Sequence, residues 1–191
     1  MISVLGAEKL SLVEIEAFLA ASESVRQRAL IVRKQAVAFS ELGEFSHANP
    51  LFEDALKAFR RIEAADTAEV KDIRALGDVR RVLMDMALNY ESAADPALAE
   101  VPGDRRRNLL KARHLAEQEA VAIQQILKQD TSHPDWKAEL ASVQVQIASI
   151  RTALHDPAVA GELSNAPLAL LRSFATKDHA SVRMIGLYIA A

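Results

Sequence analysis

Apolar residues recur along this chain at alternating spacings of three and four, which gathers them on one face of a helix rather than on alternate faces of a strand. From about Val25 to Leu42 the series is Ala29, Val32, Ala36 and Phe39, with Arg33, Gln35, Ser40 and Glu41 on other sides. Past Gly43 it resumes as Ala48, Phe52, Ala55, Phe59 and Ile62 and ends near Asp66. Pro50 is then expected in the first turn of that helix, where a missing amide hydrogen is harmless. Ile73, Leu76, Val79, Leu83, Met86 and Tyr90 predict a third helix from about Thr67, its cap, to Ala93. A long loop, Asp95–Asp104, leads to a fourth with Leu109, Ala112, Ala116, Ile123 and Ile126 on one face. The fifth carries Trp136, Leu140, Val143, Ile147, Ile150 and Leu154 without a miss.

The two ends differ from this middle. Ser11 and Glu14 form a capping box that opens a short helix, Leu12–Ala21, expected to turn at Ser22-Glu23-Ser24. After Leu154, short helices are expected between breaks at Pro157, Gly161 and Pro167, the last reading Val182, Ile185 and Ile189. The pattern divides the chain into an N-terminal short helix over 1–24, a helical domain over 25–154 and C-terminal short helices over 155–191.

Composition agrees with an all-α chain: the 191 residues include 35 alanines against 6 glycines and 6 prolines, so helix formers far outnumber helix breakers. Cysteine is absent, which removes disulfides and thiol chemistry. A net charge of -3 argues against nucleic acid as a partner, since a dedicated binder is usually basic. No apolar run approaches the ~20 residues of a membrane span, and the N-terminus carries no cationic leader, so a cytoplasmic location without membrane partners is expected.

The middle of the chain also repeats. At one constant separation, Ala48 pairs with Ala112, Ala58 with Ala122, Ile62 with Ile126, Asp66-Thr67 with Asp130-Thr131, Leu76 with Leu140 and Val79 with Val143. The match crosses a turn, which two merely amphipathic helices would not share. In order along the first unit stand Ala36, Phe39, Gly43, Phe45, Ala48, Phe52 and Ala55. This series, and the stretch Leu42-Gly-Glu-Phe-Ser-His-Ala48 within it, resembles the tetratricopeptide repeat. Asp130, Pro134, Trp136 and Leu140 are similar to the long-helix variant of that repeat found in bacterial regulatory chains. The resemblance runs from about Ala29 to Leu154, and Arg80 departs from it by standing where the middle repeat calls for an aromatic. It implies antiparallel helix pairs stacked as a short right-handed solenoid.

In that family the first helix of each pair lines a concave groove, where its polar residues meet extended peptides or partner helices. Aligning Ala36 with Gly77 and Ala141 as the small mid-helix residues puts Arg33 and Arg74 at one structural position, with Ser40, Asp78 and Arg81 alongside. Arginines stacked in a groove can hold carboxylates through paired hydrogen bonds. The competing reading is that they are ordinary exposed helix residues.

Catalytic chemistry finds no such support. His47, His114, His133, His155 and His179 form no metal-binding pair one helical turn apart, and there is no nucleophile elbow, phosphate loop or dinucleotide fingerprint. Arg105-Arg106-Arg107 reads as a solvated face pairing with Glu100 and Asp104, and Trp136 reads as core. The expectation is a non-enzymatic interaction or scaffold module that takes a protein or peptide partner and needs no cofactor or metal. The alternatives are a regulatory or sensory fragment of a larger signalling enzyme and a DNA-binding fragment of a mobile element. The apolar end, with Met184, Ile185, Leu187 and Ile189, is expected to make a buried contact within the chain or in a homo-oligomer.

Overall fold

The structure, a computed structural model, describes residues 12–65, 73–95, 97–98, 104–130, 134–155 and 165–173. All regular structure among them is helical. In chain order the helices are α1 (Leu12–Glu41), α2 (Phe45–Ala65), α3 (Ile73–Ser92), α4 (Arg105–Gln129) and α5 (Pro134–Ala153), followed by a short α6 over 165–173. Ser11 of the expected capping box, Thr67 and the apolar stretch Val182–Ala191 lie outside the described residues.

Three expectations about helix breaks and ends are corrected. The turn at Ser22-Glu23-Ser24 does not occur, because α1 runs unbroken for 30 residues. None of the three is glycine or proline, and serine or glutamate costs a helix interior less than about 0.7 kcal/mol, too little to force a break. Pro50 lies a turn deeper than expected, because α2 opens at Phe45. The amides of His47 and Ala48 both donate to the Glu44 carbonyl and close the first turn without it. Pro167, expected as a break, falls in the first turn of α6, where its missing donor costs little.

Each helix packs on the next in sequence, and α1 also touches α3. The apolar faces close into one core in which Ala36, Ala48, Phe52, Leu83, Ile123 and Ile150 are fully enclosed. Leu76, Val143 and Ile147 are buried as expected, whereas Phe39 and Leu140 are half-buried against that core. On the far side of α5, Ala138, Ala141 and Val145 take the side chain of Leu171 from α6. Polar bonds fix the register between helices. Arg26 binds Asp78 and Arg33 binds Asp85, both across a separation of 52 residues. Asn108 donates to the Ala93 carbonyl and Lys111 to the Tyr90 hydroxyl, so three residues forward along α4 is three back along α3.

The odd-numbered helices finish alike. At the end of α1, Leu42 N–H donates to Ala38 and Gly43 N–H to Ser40. At the end of α3, Ala93 donates to Asn89 and Ala94 to Glu91, and at the end of α5, Leu154 donates to Ile150 and His155 to Thr152. Gly43 takes φ 80°, the left-handed turn that lets the chain reverse into α2, and His155 takes φ 66° at the matching place. These ends set Ala36, Ala87 and Ala148 in register, and all three are buried.

Phe52 and Phe59 are the largest side chains fully enclosed among the described residues, and Phe52→Ala is expected to lower the unfolding free energy by about 3–5 kcal/mol. The urea midpoint measures this, and an unchanged midpoint would show that the assigned face is not the buried one.

Candidate binding groove

Alpha helices that end in register present matching positions to the same side. Counting back from the shared ends, Arg33 of α1 matches Met84 of α3 and Val145 of α5, and all three line one groove of about 690 Å³. Arg81 and Leu88 of α3 likewise match Ser142 and Ser149 of α5 on the same wall. The groove therefore belongs to the odd-numbered helices, with Glu119 reaching its floor from α4.

This register corrects the alignment of Ala36 with Gly77 and Ala141. The buried alanine that corresponds to Ala36 is Ala87, and a side chain added at Gly77 would meet nothing within 4 Å, so Gly77 is not a close-packing position. Arg74 is accordingly not the counterpart of Arg33; it is exposed and does not line the groove. Ser40 is half-buried and outside the groove as well. Arg33 and Arg81 do line it. Asp78 lies buried beneath, 2.5 Å from Arg26 and 3.5 Å from Arg81. Arg33 is itself engaged, its Nε donating to Asp85 at 2.5 Å. Two arginines seven residues apart on α1 thus meet two aspartates seven apart on α3. That matched spacing was legible in the sequence, though nothing there said which helices would be neighbours.

The strongest feature of the groove is Arg80, which is 5% exposed. Its Nη1 lies 2.8 Å from Glu139 of α5 and donates to Glu119 of α4 at 3.2 Å, while its guanidinium sits 5.7 Å from the centre of the Trp136 ring. Trp136 is half-buried and serves as a platform for this cation as well as packing on the core. Burial pulls the Arg80 guanidinium below its usual value, against the opposing charge of Glu119. Burial pushes the Glu119 carboxyl up to about 7, with Arg80 opposing and Asp85 reinforcing. Desolvation thus outweighs attraction on both partners, as expected for an ion pair removed from water. Glu119 Oε2 and Arg80 Nε are buried with no hydrogen-bond partner in the protein.

Farther along the groove Glu91 accepts a bond from Gln146 at 2.5 Å. Burial raises its carboxyl above the ordinary value, and only the neutral Gln146 amide opposes the shift. Away from the groove, His47, His114 and His155 are exposed. Arg107 pairs with Asp104 at 2.5 Å on the surface at the start of α4. Among the described residues no group of three or more His, Cys, Asp or Glu side chains is placed to hold a metal, and no helix is long and apolar enough to cross a membrane. Comparison of the chain with known protein families, curated proteins and solved structures gives no match.

The buried carboxyls make stability depend on pH. Between its ordinary value of 4.5 and about 7, Glu119 holds in the folded state a proton that the unfolded chain has released, so stability falls as pH rises through that window. Urea midpoints are expected to drop between pH ~5 and ~8, and Glu119→Gln should flatten that fall. Arg80→Met leaves the buried Glu119 carboxyl without the cation that faces it and should cost on the order of 3–5 kcal/mol, most at the alkaline end where Glu119 is ionised.

Proposed function

We propose that the chain is a tetratricopeptide-like module that binds an extended peptide or a partner helix in the groove of α1, α3 and α5, acting by recognition rather than catalysis. The observation that carries this reading is the matched register. The same positions of successive odd-numbered helices face one groove, which is how a repeat array builds a continuous binding surface.

The architecture in this reading is a short right-handed stack of antiparallel pairs, α1 with α2 and α3 with α4. The opposed stepping of partners between α3 and α4 and the shared separation of the two Arg–Asp bonds between α1 and α3 both support it. The first favours opposite directions for neighbours, the second equal directions for alternate helices. The tetratricopeptide-like series from Ala36 to Ala55 falls on the turn between α1 and α2, where such a repeat needs it.

The groove walls suit a segment of chain. Leu88 is 49% exposed and Met84 lies beside it, an apolar strip for anchoring side chains. Ser142, Gln146 and Ser149 of α5 supply hydrogen-bonding groups for a peptide backbone. The most buried charges are engaged with one another between helices, which fits a rigid recognition surface better than a set of groups moving protons.

Affinity capture with the intact chain, followed by mass spectrometry, tests this. A partner held in the groove should be lost when Leu88→Glu and Ser149→Arg are combined and retained by Arg60→Glu, a change on exposed α2 surface. These exposed substitutions should move stability by no more than about 0.5 kcal/mol each. Equal capture by all three forms would remove the groove from the function.

A further inference from the structure

Charge does not select what the groove takes. Three arginines, Arg33, Arg80 and Arg81, and three glutamates, Glu91, Glu119 and Glu139, line it, and Arg33 and Arg80 are engaged across helices with Asp85, Glu119 and Glu139. Its exposed apolar surface discriminates better. Leu88 is 49% exposed, and Met84, in the same lining, stands one helical turn before it on α3. Such a strip gains free energy from apolar surface laid over it.

A segment of the chain itself continues from beside that strip. Val145 of α5 serves two neighbours: it lines the groove, and it belongs to the cluster that takes Leu171 of α6. The described part of α6 ends at Ser173, so residues 174–191 begin within three positions of a side chain seated on the α5 wall. In the register of the odd-numbered helices Val145 is level with Met84 and Ser149 with Leu88. Leu88 is therefore one turn farther along, about 6 Å, and across the width of the groove. From Ser173 to Val182 the chain can span up to about 30 Å, several times that axial offset.

The stretch Val182–Ala191 suits the strip. It carries one charge, Arg183, among the apolar side chains of Val182, Met184, Ile185, Leu187 and Ile189. Ile185 and Ile189 share a face in a helix and in a strand alike, and as a helix their one-turn spacing equals that of Met84 and Leu88. We propose that Val182–Ala191 occupies the groove of its own chain, with Ile185 and Ile189 over Met84 and Leu88, and that a partner segment binds by displacing it. The displacement rests on the groove reading above; the docking of the tail does not. A tether this short holds the segment at an effective concentration on the order of millimolar, so at micromolar chain concentration it outcompetes the same segment of a second copy.

The chain has no cysteine, so an introduced pair reports proximity without background. Ser149→Cys with Ala190→Cys puts one thiol on the groove wall level with Leu88 and one beside Ile189, and leaves the apolar contacts themselves intact. Under mild oxidation this pair should close a disulfide within one chain about tenfold or more faster than Val121→Cys with Ala190→Cys, since exposed Val121 lines a different cavity between α2, α3 and α4. Adding Ile185→Asp and Ile189→Asp should slow it to the rate of that control. A fluorescent peptide of residues 174–191, titrated against the full chain, gives the second readout. The variant Ile185→Asp/Ile189→Asp, its own tail released, should bind the peptide about tenfold or more tightly than the parent, and adding Leu88→Glu should abolish the gain.

A Ser149–Ala190 pair that closes no faster than the control would overturn the docking. Disulfides that form only between two chains would give the groove to a second copy and overturn docking within the chain. The groove reading fails separately. If the pair closes slowly while a captured partner is still lost with Leu88→Glu and Ser149→Arg, the groove reading stands without the tail. If the pair closes fast and capture ignores those changes, the tail keeps the groove and the partner reading falls.

Discussion

A guanidinium removed from water must find carboxylates, and at position 80 they come from two other helices. Arg80 of α3 is held between Glu119 of α4 and Glu139 of α5, with Trp136 beneath its face. Apolar faces attract one another without preferred register, because the hydrophobic effect has no direction. This charged contact has one geometry. Sliding α5 by a single residue would turn Glu139 away and leave a buried cation facing a single carboxylate, a loss of several kcal/mol. In the register set by the helix ends, Arg80 occupies the place that Ala29 and Ala141 hold on α1 and α5, so the large charged side chain is peculiar to the middle helix.

The ladder between α1 and α3 acts in the same way on the other side. Arg26–Asp78 and Arg33–Asp85 are two turns apart on both helices, so either bond alone would predict the other. Together with the triad at Arg80 they tie α1 to α3 and α3 to α4 and α5, and residues of α1, α3 and α5 line one groove. Both sets of helices build the core, α2 and α4 through Phe52, Phe59, Ile123 and Ile126, α3 and α5 through Leu76, Leu83, Met86 and Ile150.

Placing charges to fix helices leaves them unevenly satisfied. Arg33 is committed to Asp85, whereas Glu119 keeps one buried oxygen without a hydrogen-bond partner even beside Arg80. Desolvation outweighs attraction there and holds the Glu119 carboxyl well above its ordinary value.

Helices α2 to α5, the second half of α1 and most of their buried faces were legible along the chain, whereas the unbroken length of α1 was not. Spacings of three and four are a local property, and the residues that mark the turns, such as Gly43, act within a few positions of themselves. Ala36, Phe52, Leu76 and Ile147 could be read as core on that basis alone. The helix periodicity also placed Arg33 off the apolar face, the repeat alignment added Arg81, and both line the groove. Tertiary structure decided everything that depends on which helices are neighbours. Gly77 and Ala87 are both small residues on α3, and only the hydrogen bonds ending the three odd helices select Ala87 as the partner of Ala36. That choice moved Arg74 out of the groove and brought Met84 and Val145 in. Arg80 was visible as a departure from the repeat, but its partners lie 39 residues away on α4 and farther still on α5. A charge's satisfaction is a property of the space around it, so no reading along the chain could tell that Asp78 is spent and Glu119 is not.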